Sequence, residues 1–140
     1  AGSLVRAFAP SSDPVLVDCD AITLDFSHAA LAGRDSLEYA LAMGDRLRHV
    51  HLGDGTASTA DGQVHDAHLV PGHGTQPVAE VLHYLASHDW TGSVIAEVHT
   101  GALVSEATRL EMLRETRIFA ASHIEAGVSA RRANRKDKIS

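Results

Sequence analysis

The chain has 140 residues, 44% apolar and only 4% aromatic, with a formal net charge of −6. This is one domain's worth of residues with a core resting on Leu, Val, Ile and Ala, and the acidic balance argues against a surface that coats nucleic acid. A single cysteine, Cys19, no apolar run near the roughly 18 residues of a membrane span, and no leader pattern at the start together indicate a cytoplasmic protein without membrane contact.

The first residue is Ala rather than Met, which suggests a piece of a longer chain. LVRAFA (4–9) has helical character and stops at Pro10, SSDP (11–14) reads as a loop, and PVLVD reads as a short extended piece. AITLDFS (21–27) is β-branched and apolar between polar residues, which predicts a strand. An Asp-Ser start followed by Leu37, Ala40 and Leu41 predicts a helix from about 35 to 43. LRHVHLGD (47–54) is the second strand, broken by Gly53 and Gly55. In QPVAEVLHYLASHDW (76–90), Val78, Val81, Leu82 and Leu85 fall at helical spacing, with Thr75 as N-cap and Pro77 in the first turn. SVIAEVHT (93–100) is the third strand, and a long helix over 105–126 follows with Ser105 as N-cap and an apolar face of Leu110, Leu113 and Ile118. The basic, apolar-poor end predicts a domain over 1–126 and an unstructured tail over 127–140. Strand and helix alternate three times, which predicts an α/β fold with a parallel sheet and right-handed crossovers.

Residues 49–77, HVHLGDGTASTADGQVHDAHLVPGHGTQP, hold five of the ten histidines. Parallel strands bring their C-terminal ends to one face, where α/β proteins build sites. The first strand delivers Asp25 and then His28, the second His49, His51 and Asp54, and the third Glu97, while the loop adds Asp66 and His68. Taken singly, these have plain structural readings: Asp25 as a cap, His28 as a surface residue, and one of His49 and His51 as solvent-facing. Glu97 on an apolar strand is harder to dismiss, because an unpaired buried carboxylate costs roughly several kcal/mol. His73, His83, His88 and His123 read as surface residues. Imidazole and carboxylate together suit a divalent metal such as zinc or manganese. PGHGTQP (71–77) lacks the Gly spacing of a nucleotide loop and reads as a tight turn presenting backbone N–H groups to a ligand.

LDFSH, HVHLGDG, DAHLVPGHGTQP and AEVHT, in this order and with these gaps, resemble the C-terminal half of the xylose isomerase-like TIM barrels. That superfamily holds sugar phosphate isomerases and epimerases and the endonuclease IV type of apurinic endonuclease. The resemblance implies strands six to eight of a (β/α)8 barrel, with Asp25, His51 and Glu97 as metal ligands. It also implies Glu97 as a catalytic acid/base, His28 as a substrate contact in the epimerases and a metal ligand in the endonuclease branch, and Asp66 with His68 as ligands to a further metal. Ala67 stands where the endonuclease branch has Arg, and His73 where members often have Arg. The family's strand-five glutamate, the other acid/base group, has no convincing match in residues 1–20.

The resemblance therefore implies a metal-dependent isomerase or epimerase of a small sugar or sugar phosphate. Phosphodiester hydrolysis at abasic sites is the second reading, and a non-catalytic half-barrel the third. Three strands cannot close a barrel, and their open edges are a route to self-association.

Overall fold

The computed structural model describes residues 13–56, 65–101 and 104–138, so the helix expected over 4–9 lies outside the described residues. Pro14–Leu16, expected as extended, forms a turn of 3-10 helix instead, because the Asp13 carboxylate accepts from the Val15 N–H at 3.0 Å. β1 (Ile22–Asp25) leads directly into α1 (Phe26–Leu31), which the reading of 21–27 as one strand did not separate. Asp25 causes the break: its side chain accepts from the His28 N–H and caps the helix. α2 (Ser36–Met43) is capped by Asp35, which accepts from the Leu37 and Glu38 N–H groups at 2.8 and 3.0 Å. It stops at Gly44, whose φ of 52° suits glycine.

β2 (Leu47–Leu52), α3 (Val78–Ser87) and β3 (Ser93–Ala96) follow. α3 has Pro77 at its N-cap and no side-chain cap, so Thr75 does not play that part. The Thr75 backbone N–H instead donates to the Gly55 carbonyl at 2.9 Å, which ties the loop to the end of β2. The three strands pair in parallel in the order β1-β2-β3, the α/β arrangement expected from the alternation. Among the described residues, β1 and β3 each have one unpaired edge.

One sheet face presents Ile22, Leu24, Val50 and Leu52 to Ala40 and Met43 of α2 and to Val78, Val81, Leu82 and Leu85 of α3, and this is the core. Among the described residues, none of the buried apolar side chains comes from the last helix. That helix, α4 (Glu106–Asp137), begins at Ser105, whose side chain accepts from the Thr108 N–H at 3.1 Å. It runs alongside α3 in the same direction. A Cβ on Gly72 would meet Phe119, one on Gly127 would meet the His83 carbonyl, and Arg131 and Arg135 both pair with Asp89. The face that packs is Thr116, Phe119, Ala120, Ile124 and Gly127. Leu110, Leu113 and Ile118, expected as the packed face, are exposed by 60%, 44% and 49%. Residues 127–137, expected to be unstructured, continue the helix. Their Ala, Arg and Lys residues are good helix formers, and Arg131 and Arg135 hold this end to Asp89.

Candidate metal centre

The register places Asp25 beside His51, and Leu52 beside Ala96, the residue before Glu97. Paired residues on parallel strands point to the same face, so Asp25 and His51 stand together on the face opposite the core. The Glu97 N–H still donates to the Leu52 carbonyl at 2.8 Å, which holds Glu97 at the strand end. Its Oε2 reaches Nδ1 of His51 at 2.6 Å, and the same nitrogen lies 3.2 Å from Oδ2 of Asp25. Asp25 divides its carboxylate: Oδ1 caps α1 through the His28 N–H at 3.0 Å, and Oδ2 faces the imidazoles. Asp25, His51 and Glu97 offer three donor atoms within 4.8 Å of one another. The Glu97 side chain, expected to be buried, is 48% exposed, so it faces solvent as well as its partners.

Asp25, His28 and His68 form a second group, whose donor atoms also lie within 4.8 Å of one another. His28 turns Nδ1 to Asp25 Oδ2 and Nε2 to Asp66 Oδ2, each at 3.1 Å. Expected as a substrate contact or a metal ligand, it has a carboxylate at both ring nitrogens. His68 Nε2 lies 3.0 Å from Asp66 Oδ1, and the His28 and His68 rings meet edge to face with centroids 5.3 Å apart. Burial by itself would raise the Asp66 carboxyl, but the Ser27 hydroxyl bond and the nearby His28 and His68 outweigh it and hold the carboxyl below its usual range.

A cavity of about 330 Å³ opens beside Asp25, His28, His51 and Glu97, and Met43 and Tyr39 also line it. Burial, then the Asp13 carboxylate, raise the Tyr39 phenol, with Arg34 opposing. Nothing in the sequence around Tyr39 marks it as a cavity residue, because its place depends on how α2 packs against β1.

Other polar residues of the loop lie elsewhere. His49 bonds to the Ser93 hydroxyl at 2.7 Å, and His73 pairs with Glu115 on the surface at 2.8 Å. His65, His83 and His88 are exposed, while His123 is half-buried against Phe119. The turn at 71–77 does gather backbone N–H groups, but around the chain's own carboxylate. Asp54, fully buried, accepts from Gly55 and Gln76 through Oδ1 at 2.8 and 3.2 Å, and from Gly72 and Gly74 through Oδ2 at 2.9 and 3.0 Å. The ligand expected for this turn is therefore internal. Gly72 takes a φ of 88°, which suits glycine, and a Cβ on Gly74 would strike the Asp54 carboxylate.

Nitrogen and carboxylate donors gathered at this spacing fit zinc, manganese or a similar divalent ion. Among the described residues no helix is long and apolar enough to cross a membrane.

The family model for the xylose isomerase-like TIM barrel matches residues 20–118. Uncharacterized proteins of Mycobacterium bovis and Mycobacterium tuberculosis are 46% identical to the chain over 123 residues, and one of Mycobacterium leprae is 45% identical. Each alignment covers 88% of this chain and 42% of the relative, so the chain spans about two fifths of the length of these proteins. No solved structure matches it. The matched family includes isomerases, epimerases and endonuclease IV-like enzymes. The chain belongs to the xylose isomerase-like TIM barrel family, and its three parallel strands with their helices form part of such a barrel.

Proposed function

We propose that Asp25, His51 and Glu97 hold a divalent cation in an isomerase or epimerase acting on a sugar or sugar phosphate. The observation that carries this reading is the convergence of three donors, from the ends of three adjacent parallel strands, on the wall of one cavity. A divalent ion held by these three residues would supply polarisation of a carbonyl oxygen and the hydroxyl beside it. In this reading Glu97, half exposed at the cavity, would take a proton from the neighbouring carbon and deliver it to the adjacent one. Epimerisation would need a second acid/base group on the other face of the substrate. Asp25 would orient the His51 ring, and Met43 and Leu24 make part of the cavity lining apolar.

The test is a titration of the metal-free chain with Zn²⁺ and Mn²⁺, followed by solvent deuterium uptake into a panel of ketoses and ketose phosphates. Binding that disappears in folded His51→Ala and Glu97→Ala chains, with deuterium entering one substrate class, supports the reading. Binding unaffected by both substitutions would sink it.

A second reading, metal-assisted hydrolysis of a phosphodiester, is favoured by the Asp25–His28–His68 group, which offers a place for another cation beside the first. Cleavage of an abasic-site duplex, with no deuterium uptake into sugars, would decide for it.

A further inference from the structure

Ser27 occupies the first turn of α1, is fully buried, and belongs to neither ligand group. Its hydroxyl works in both directions across a long stretch of sequence. It donates to Asp66 Oδ1 at 2.9 Å and accepts the His68 backbone N–H at 3.0 Å. His68 needs such restraint, because its φ of 41° is a conformation that side-chain-bearing residues seldom adopt. A residue of that kind persists only where its surroundings over-determine it. Here the His68 carbonyl accepts from the His99 N–H at 2.7 Å, and Nδ1 lies 3.2 Å from the Glu97 carbonyl oxygen. Ser27 supplies the remaining backbone restraint. Close packing holds Ser27 itself still, since a Cβ on Gly55 would come within 3.0 Å of its Cα.

We propose that Ser27 is a positioning residue, whose buried hydroxyl sets Asp66 and His68 against His28 so that the Asp25–His28–His68 group is formed before a cation arrives. The inference rests on the metal reading above only for its cation readout. A hydroxyl that merely satisfies itself in the core would change stability when removed and leave the imidazoles where they are.

The experiment uses the whole chain with Ser27→Ala and Ser27→Thr. Imidazole nitrogen resonances are recorded on the metal-free protein, Zn²⁺ is then titrated in, and circular dichroism follows folding. In Ser27→Ala, the His28 and His68 resonances should move while those of His51 stay. Zn²⁺ affinity at the Asp25–His28–His68 group should fall about 10–100-fold, the usual scale for an outer-shell hydrogen bond, with the affinity of the Asp25–His51–Glu97 group for a first ion held within about twofold. Ser27→Thr, which keeps the hydroxyl, should restore both. If Ser27→Ala does not fold, Ser27→Cys, similar in shape but a weak donor, should shift the same resonances. Unmoved His28 and His68 resonances in a folded Ala or Cys variant overturn the proposal. Shifted resonances in a chain that binds no Zn²⁺ at all uphold the positioning role and overturn the metal reading instead.

Discussion

Glu97 and His51 come from neighbouring strands, and Glu97 Oε2 lies 2.6 Å from His51 Nδ1. Both side chains are partly open to solvent, at 48% and 36%, so little of the fold's stability depends on the pair. Glu97→Gln keeps a hydrogen-bonding amide near His51 and removes the ligand charge. Its melting temperature should stay within about 2–4 °C of the parent, which corresponds to roughly 1 kcal/mol or less. Zn²⁺ affinity should fall by more than the ~10–100-fold of an outer-shell change. Calorimetric titration beside a thermal melt checks both halves, and an unfolded Glu97→Gln chain would contradict the first.

Asp54 organises the turn at 71–77 through two N–H groups on each carboxylate oxygen. Asp54→Asn should be nearly as damaging as Asp54→Ala, because either orientation of the amide sets its NH2 against two backbone donors. Each should cost about 3 kcal/mol or more, as buried donors are left without acceptors. Urea denaturation midpoints give the comparison, and an Asn variant close to the parent would show that the turn holds without the charge.

Gly33 and Gly74 should respond to alanine for different reasons. Gly33 has φ 65° and nothing within 4 Å of an added Cβ, so Gly33→Ala should cost about 1–2 kcal/mol from the backbone alone. At Gly74 the added carbon meets the Asp54 carboxylate and the Gly55 carbonyl. Gly74→Ala should therefore cost roughly 3 kcal/mol or more and disturb the loop around Asp54. Amide exchange of Gly72 and Gln76 should quicken in Gly74→Ala and not in Gly33→Ala.

Tyr39 should contribute to a loss of stability at alkaline pH. Burial, then the Asp13 carboxylate, raise its phenol above the ordinary 10.0, with Arg34 opposing. A group whose folded pKa is raised contributes stability fully present below the unfolded pKa and lost as pH rises through the folded one. The loss should therefore fall above pH 10 and be absent in Tyr39→Phe. Denaturant midpoints measured across alkaline pH, with tyrosinate absorbance read alongside, test this.

Much of the fold and of the candidate site is legible in local pattern. The apolar runs of β1 to β3 and the caps Asp35 and Ser105 locate most of the elements. Asp25, His51 and Glu97 stand out because parallel strands must end on one face. α1 was hidden because Asp25 ends a strand and caps a helix at the same residue. The packed face of α4 was not legible because it depends on where α3 lies, which left Leu110 and Leu113 outside. Ser27 and Asp54 are short polar side chains in unremarkable local context. Their partners, Asp66 and the turn at 71–77, are brought to them only by the loop that follows β2.

Asp25 Oδ2 faces His28 and His51 alike, so the two ligand groups share one oxygen. Filling one group then cannot be thermodynamically independent of filling the other. An ion that draws on this carboxylate alters what it offers to a second ion, and the change in affinity is the same whichever enters first. A cation titration of this chain should accordingly be read as a coupled pair of equilibria, with the coupling free energy carried by one side chain.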